Sequence, residues 1–274
     1  MTSVYDFLTI EVEQPAIFGW FHLMFFAITI AFTVFLCVKF RDCSDKTFKI
    51  ITLIGWITIL LLEIYKQIIY TVRAETYEIN YDWKVFPYQL CSTPLYVLPI
   101  VAFMKDNKIR DIFTSYISTF SLVGGLIVMI YPHSVFVDDR LGIHIQTMVH
   151  HGLQVAFGVW FMVYNRKKAD WKYFLKSVPL FLVLFAIAVL LNETLGAYLL
   201  SIGEEKFNMF FVSSRLPTNL PVLGSVNAIA PWGVVLVCYV LGLCVLSFVV
   251  FELMLGIILC AKHIKTKKAQ DKNV

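Results

Sequence analysis

The chain has 274 residues, 59% of them hydrophobic and only 15% charged, where soluble domains run roughly 45–50% apolar and about 25% charged. Twenty-four phenylalanines and a mean hydropathy of +0.74 point into a lipid bilayer. The net charge of +4 is small and its basic residues sit in short clusters between apolar runs, which excludes a nucleic-acid partner.

A helix needs about 20 apolar residues to cross a hydrocarbon core of about 30 Å. In chain order seven segments meet that measure: about 17–38, 50–71, 85–104, 111–131, 144–164, 173–197 and 230–260. The first does not read as a cleaved signal peptide, because residues 1–16 carry acids and no Lys or Arg. No repeat or linker divides the chain, so residues 1–274 are expected to form one all-α, polytopic bundle. Cys37, Cys43, Cys91, Cys238, Cys244 and Cys260 lie within or at the ends of apolar runs, and no disulfide framework is expected.

The basic residues set the expected orientation. Seventeen of the 23 fall on one side of the membrane. They are Lys39, Arg41, Lys46 and Lys49 after the first span, Lys105, Lys108 and Arg110 after the third, and Arg166, Lys167, Lys168, Lys172 and Lys176 around the fifth loop. The tail adds Lys262, Lys265, Lys267, Lys268 and Lys272. Arg73, Lys84, Arg140, Lys206 and Arg215 fall on the other side, and Lys66 lies within a span. This predicts seven crossings, the N-terminus outside and the C-terminus in the cytoplasm. The tail reads as a stop-transfer anchor, with an anionic-lipid contact as the alternative.

Polar groups inside spans are costly and mark function. Measured from the outer helix ends at about 1.5 Å per residue, His22 lies roughly 8 Å deep, Glu63 roughly 12 Å, Cys91 roughly 9 Å, His151 roughly 10 Å and Asn192 roughly 8 Å. Five helices thus place polar groups at one level, as a buried site near the outer leaflet would require. Cys238 and Cys244, in VVLVCYVLGLCVL, have no polar neighbours and read as packing. Cys91 differs: it sits in FPYQLCSTPLYVLP, where Pro94 and Pro99 free the carbonyls of Leu90 and Leu95. A buried thiol is inert without a base, so a reactive Cys91 requires a histidine.

The fifth span supplies two, in IHIQTMVHHGLQV. His151 shares a stripe with His144, Thr147, Gln154 and Gly158, while His150 is rotated about 100° away. His151 is therefore the first choice of base and His150 the alternative. His144 and His151 are roughly 10.5 Å apart along the helix, too far to share a metal, and no metal or other cofactor is expected. Glu63 and Lys66 face one way, as an ion pair, as an orienter of the histidine and a receptor for lipid phosphate, or as the coupling groups of a small transporter. Glu252, isolated in the inner half, reads as structural.

These segments resemble the YwaF-type integral membrane proteins of bacteria, relatives of the eukaryotic membrane acyltransferases that make polyunsaturated ether phospholipids. FPYQLCS is similar to the family's Leu-Cys segment, IQTMVHHGL to its histidine-glycine segment, and NMFF, from Asn208, to its Asn-Tyr-Met-Phe loop, with Met209 in the tyrosine's place. The resemblance implies a bacterial plasma-membrane location and acyl transfer between phospholipid and lyso-lipid without coenzyme A. It puts Cys91 at the nucleophile and His151 at its partner, with Gln89, Ser92 and Asn192 as candidate oxyanion donors. A more distant likeness to Thr/His membrane hydrolases leaves hydrolysis as the alternative.

Overall fold

The computed structural model describes residues 7–72, 78–136, 138–218, 220 and 222–270, with the main chain alone for Ser134 and 262–270. Arg73 and Lys272, counted above for orientation, lie outside the described residues, as do the side chains of Lys262, Lys265, Lys267 and Lys268. Among the described residues the fold is all-helical, with two isolated extended bridges, Glu11 with Arg140 and Val72 with Ile79.

The main helices are α1 (Trp20–Lys39), α2 (Asp45–Thr71), α3 (Pro94–Phe103), α4 (Lys108–Ile130), α5 (Leu141–Tyr164), α6 (Trp171–Ser201), α7 (Leu223–Ile229) and α8 (Trp232–Gln270). Five of them are long and apolar enough to cross a membrane: α1, α2, α4, α6 and the Trp232–Ala261 part of α8. The 39 residues of α8 amount to about 58 Å, so it runs well beyond the expected end near 260.

The third expected span, about 85–104, is cut short. Single turns at Trp83–Val85 and Leu90–Ser92 precede α3, which has only 10 residues. Two prolines account for this. Phe86, ahead of Pro87, is held extended at φ −47° and ψ 129°. Pro94 opens α3 in its first turn, where a missing N–H costs the helix nothing. Pro99, farther along, leaves the Leu95 carbonyl without its helical donor, and the Trp56 indole N–H donates to it at 2.9 Å.

Burial separates the inside of the bundle from its rim. The apolar window of α4 is 72% buried, against 22% for α1 and α8. Helix α5, whose polar residues hold its hydropathy down, is buried along most of its length against α1, α2 and α4. Close approach is made possible by glycines. A Cβ on Gly125 of α4 would lie 2.8 Å from the Gln154 Cβ and 3.0 Å from the His151 carbonyl, and one on Gly152 of α5 would collide with the Thr29 hydroxyl. Helices α4 and α6 each contain a π-turn, Ile117–Ser121 and Asn192–Gly196, a device often found beside functional sites.

The two ends of the bundle are fastened differently. At one end Ser44, Asn107 and Asp170 cap α2, α4 and α6, each side chain accepting from main-chain N–H groups of the first turn. Ion pairs there join Asp45 to Arg110, Asp106 to Lys168, Asp111 to Lys176 and Asp42 to Arg166. At the other end the N-terminal segment is sewn onto the loop before α5. The Val12 N–H donates to the Asp139 carbonyl at 2.6 Å, the Leu141 N–H to the Ile10 carbonyl at 2.9 Å, and the Tyr65 hydroxyl to the Leu8 carbonyl at 2.7 Å.

Candidate functional site

Cys91 lies in the Leu90–Ser92 turn that leads into α3, and Pro94 shapes what surrounds it. Proline has no N–H to offer the Cys91 carbonyl three residues earlier. Two side chains of α5 take that place: the His150 Nε2–H donates at 2.8 Å and the Gln154 amide at 2.5 Å. The Leu90 carbonyl, also freed by Pro94, accepts from the Thr93 N–H at 3.3 Å and the Thr93 hydroxyl at 2.7 Å. The Tyr116 hydroxyl in turn donates to Thr93 Oγ1 at 2.8 Å. The Ser92 hydroxyl lies beside the thiol.

Both histidines are buried, 4% and 6% exposed, with ring centroids 5.2 Å apart. A carbonyl only accepts, so each ring's tautomer follows from its partner. His150 carries its proton on Nε2, toward Cys91, which leaves the Nδ1 lone pair without a partner. His151 carries its proton on Nδ1, donating to the Thr147 carbonyl at 2.7 Å, and its Nε2 lone pair is the unpartnered one. It is thus His150, the second choice by sequence, that is bonded to the Cys91 segment. The helical stripe does not separate the two histidines, because α5 has neighbours on several sides and residues about 100° apart are both interior.

Glu63 and Lys66 form an ion pair at 2.8 Å, and Gln67 donates to the same carboxylate at 2.6 Å. Both charges lie within electrostatic reach of Cys91 and His150. Glu63 does not orient either histidine through a ring nitrogen among the described contacts; its second oxygen is buried without a partner. Gln154 likewise keeps an unpartnered, buried Oε1.

Gln89 and Asn192 spend their amides on the loop that begins at Asn208. Asn192 donates to the Met209 carbonyl at 2.9 Å and accepts from the Met209 N–H at 2.7 Å. Gln89 donates to the Asn208 carbonyl at 2.9 Å and accepts from the Phe210 N–H at 2.8 Å. Asn208 closes the loop by accepting from the Ser213 N–H at 2.9 Å. Phe210, at φ 54°, is held in the left-handed region inside this clamp and is fully buried. Of the three candidate oxyanion donors, Ser92 therefore stands at the thiol, while Gln89 and Asn192 position a loop.

His22, at the expected depth, and His144, at the outer end of the fifth expected span, lie outside the site. The His22 ring is closed on both sides, donating to the Met129 carbonyl at 2.8 Å and accepting from the Phe18 N–H at 3.0 Å, and His144 packs edge-on to Phe21 and Phe136. Among the described residues no three His, Cys, Asp or Glu side chains gather as a metal site. Tyr116 and Tyr239, both within electrostatic reach of Cys91, were missed by sequence. The hydroxyl-rich run TSYISTFS inside an apolar span was the available signal for Tyr116.

Comparison with curated proteins and with solved structures gives no match. A profile of the TMEM164 family matches residues 17–251, which take in Cys91, both histidines and the clamped loop. The chain belongs to the TMEM164 family, a family of membrane proteins.

Proposed function

We propose that this protein is a membrane-embedded lipid acyltransferase that works through a Cys91 thioester, and that the YwaF-type resemblance reflects this activity. The observation that carries the reading is the bond between His150 and the Cys91 residue inside a buried cluster of polar side chains. In the same reading the chain crosses the membrane seven times, N-terminus outside, with the short α3 and the polar α5 sheltered by the other helices. Irregular backbone at membrane depth is tolerated where protein buries it, as it is around Cys91.

His150 Nδ1, the free lone pair, takes the thiol proton, and the thiolate adds to the ester carbonyl of a phospholipid. The tetrahedral oxyanion collapses, the ester C–O bond breaks, and the lyso-lipid leaves with the proton from His150. A lyso-lipid hydroxyl then adds to the thioester while His150 removes its proton, and the C–S bond breaks to restore Cys91 and the neutral ring. Ser92 is placed to donate to the oxyanion, and Lys66 brings a positive charge toward the negative charge that develops. His151 is the alternative base. A dry site protects the thioester from water, which favours transfer over hydrolysis. The Glu63–Lys66 pairing at 2.8 Å supports a local electrostatic role over transporter-like coupling.

The test is turnover of labelled phospholipid by the reconstituted chain. Cys91→Ala and Cys91→Ser should be inactive, and the wild type should trap a hydroxylamine-sensitive adduct on Cys91. His150→Ala should lose roughly 10²–10⁴ in rate, the range of general-base catalysis. His151→Ala losing as much while His150→Ala stays active would transfer the base role to His151. Free fatty acid as the sole product would make the enzyme a hydrolase, and robust turnover by Cys91→Ala would end the thioester mechanism.

A further inference from the structure

Away from Cys91, a groove of about 530 Å³ opens between the N-terminal segment, the start of α1 and the start of α5. Its walls are Ala16, Trp20, Phe21, Met24, Leu141 and Ile145. The volume falls in the range of small-molecule sites, about 300–1,000 Å³. We propose that this groove is a binding site for a single membrane lipid with a net-neutral headgroup.

Three observations choose that occupant. The rim belongs to the lipid-facing surface: Trp20 and Met24, on a helix of mean hydropathy 2.4 whose apolar window is only 22% buried, are 77% and 40% exposed, and Ile145 of α5 is 38% exposed. In a bilayer, hydrocarbon is what reaches an apolar groove on such a face. The groove also sits at the start of α1, where Trp20 matches the interfacial belt in which headgroups meet chains. Its polar end is made by Glu13 and Gln14, and among the lining residues Glu13 alone is charged. An exposed carboxylate at that end repels an anionic headgroup and accepts from an ammonium or a hydroxyl. The segment carrying Glu13 is fixed rather than loose, because Val12 is bonded to Asp139 one residue away. The site is separate from Cys91 and does not depend on the acyltransferase reading.

Photolabelling tests it. The full chain is reconstituted in nanodiscs containing a diazirine-bearing phosphatidylcholine or phosphatidylglycerol, and adducts are mapped. The expected adducts lie around Trp20, Met24 and Ile145, with phosphatidylcholine favoured by about fivefold, the effect of one interfacial charge. Met24→Trp, which fills the groove, should cut labelling severalfold, whereas Ile28→Trp, on the same exposed face, should leave it unchanged. Glu13→Lys alters an exposed residue and should reverse the headgroup preference. Adducts spread evenly along α1 and unaffected by Met24→Trp would mean annular lipid only and overturn the proposal. So would a Met24→Cys disulfide joining two copies, which would place a second chain on this face.

Discussion

Replacing Asn192 by leucine isolates the contribution of the loop clamp. The side chain is fully buried, and both of its amide atoms are bonded to the main chain of Met209, itself fully buried. Leucine keeps the branched four-atom skeleton with somewhat bulkier methyl ends, so no cavity opens, but the Met209 N–H and carbonyl lose their partners together. A buried unsatisfied group costs about 1–3 kcal/mol, so two give about 2–6 kcal/mol, less whatever the loop recovers by shifting. If the loop shifts, Gln89 loses its hold on Asn208 and Phe210, and Gln89 is two residues from Cys91. Equilibrium unfolding of the reconstituted protein measures the first effect, and the alkylation rate of Cys91 by an apolar maleimide, expected to rise, measures the second. An Asn192→Leu protein within about 0.5 kcal/mol of the parent, with unchanged alkylation, would refute the clamp.

Three further outcomes follow from the same reasoning. Trp56→Phe should cost about 1–3 kcal/mol, because Pro99 leaves the Leu95 carbonyl no other donor, and Pro99→Ala should recover part of that loss. Asp138, in the loop before α5, is half-buried, which alone would raise its pKa, but bonds from Arg140 and Tyr70 outweigh burial and hold it at about 2. A carboxylate depressed from about 3.9 adds stability that is complete above that value and disappears as pH falls toward the folded pKa, so proteolysis of the N-terminal segment should accelerate between about pH 4 and 2. Protection that stays flat across that window would refute the assignment. Cysteines introduced at Asn80 and Lys167 report topology: an impermeant reagent should label position 80 in intact cells and spare 167, and the reverse would overturn the outward-facing N-terminus.

Legibility in the sequence tracked the range of the interaction. The apolar runs located the five membrane-length helices, because hydropathy is a property of each segment alone. Pro94 and Pro99 correctly flagged freed carbonyls at Leu90 and Leu95, again a local consequence of a missing N–H. What fills those vacancies was not legible: the Trp56 indole arrives from 39 residues upstream, and His150 reaches Cys91 across 59 residues. Which histidine ring meets the Cys91 residue was not legible for a similar reason. A helical stripe identifies one inward face, and α5 meets α1, α2 and α4 at once. Asn192 was recognised as a polar residue at the common depth and Gln89 as a candidate oxyanion donor, but their partner, the loop from Asn208, carries no periodic pattern that would announce its burial.

The proline before α3 also bears on the chemistry. Continuing the tight Leu90–Ser92 turn, whose bonds run three residues back, would give the Cys91 carbonyl the N–H of residue 94 and leave less for α5 to grip. With Pro94 in place the carbonyl is held by His150 Nε2–H and by Gln154. In the proposed mechanism His150 gains a proton on Nδ1, and the ring becomes an imidazolium. Hydrogen bonds from a charged donor are roughly twice as strong as neutral ones. The bond from Nε2 to the Cys91 carbonyl therefore tightens at the moment the thiol gives up its proton, holding the residue that carries the nucleophile against the ring that must later return the proton to the leaving group. His151, whose free nitrogen is Nε2 and whose anchor is the Thr147 carbonyl of its own helix, has no such link to Cys91. The distinction between the two adjacent histidines thus lies in what each ring anchors, the Cys91 carbonyl for His150 and its own helix for His151.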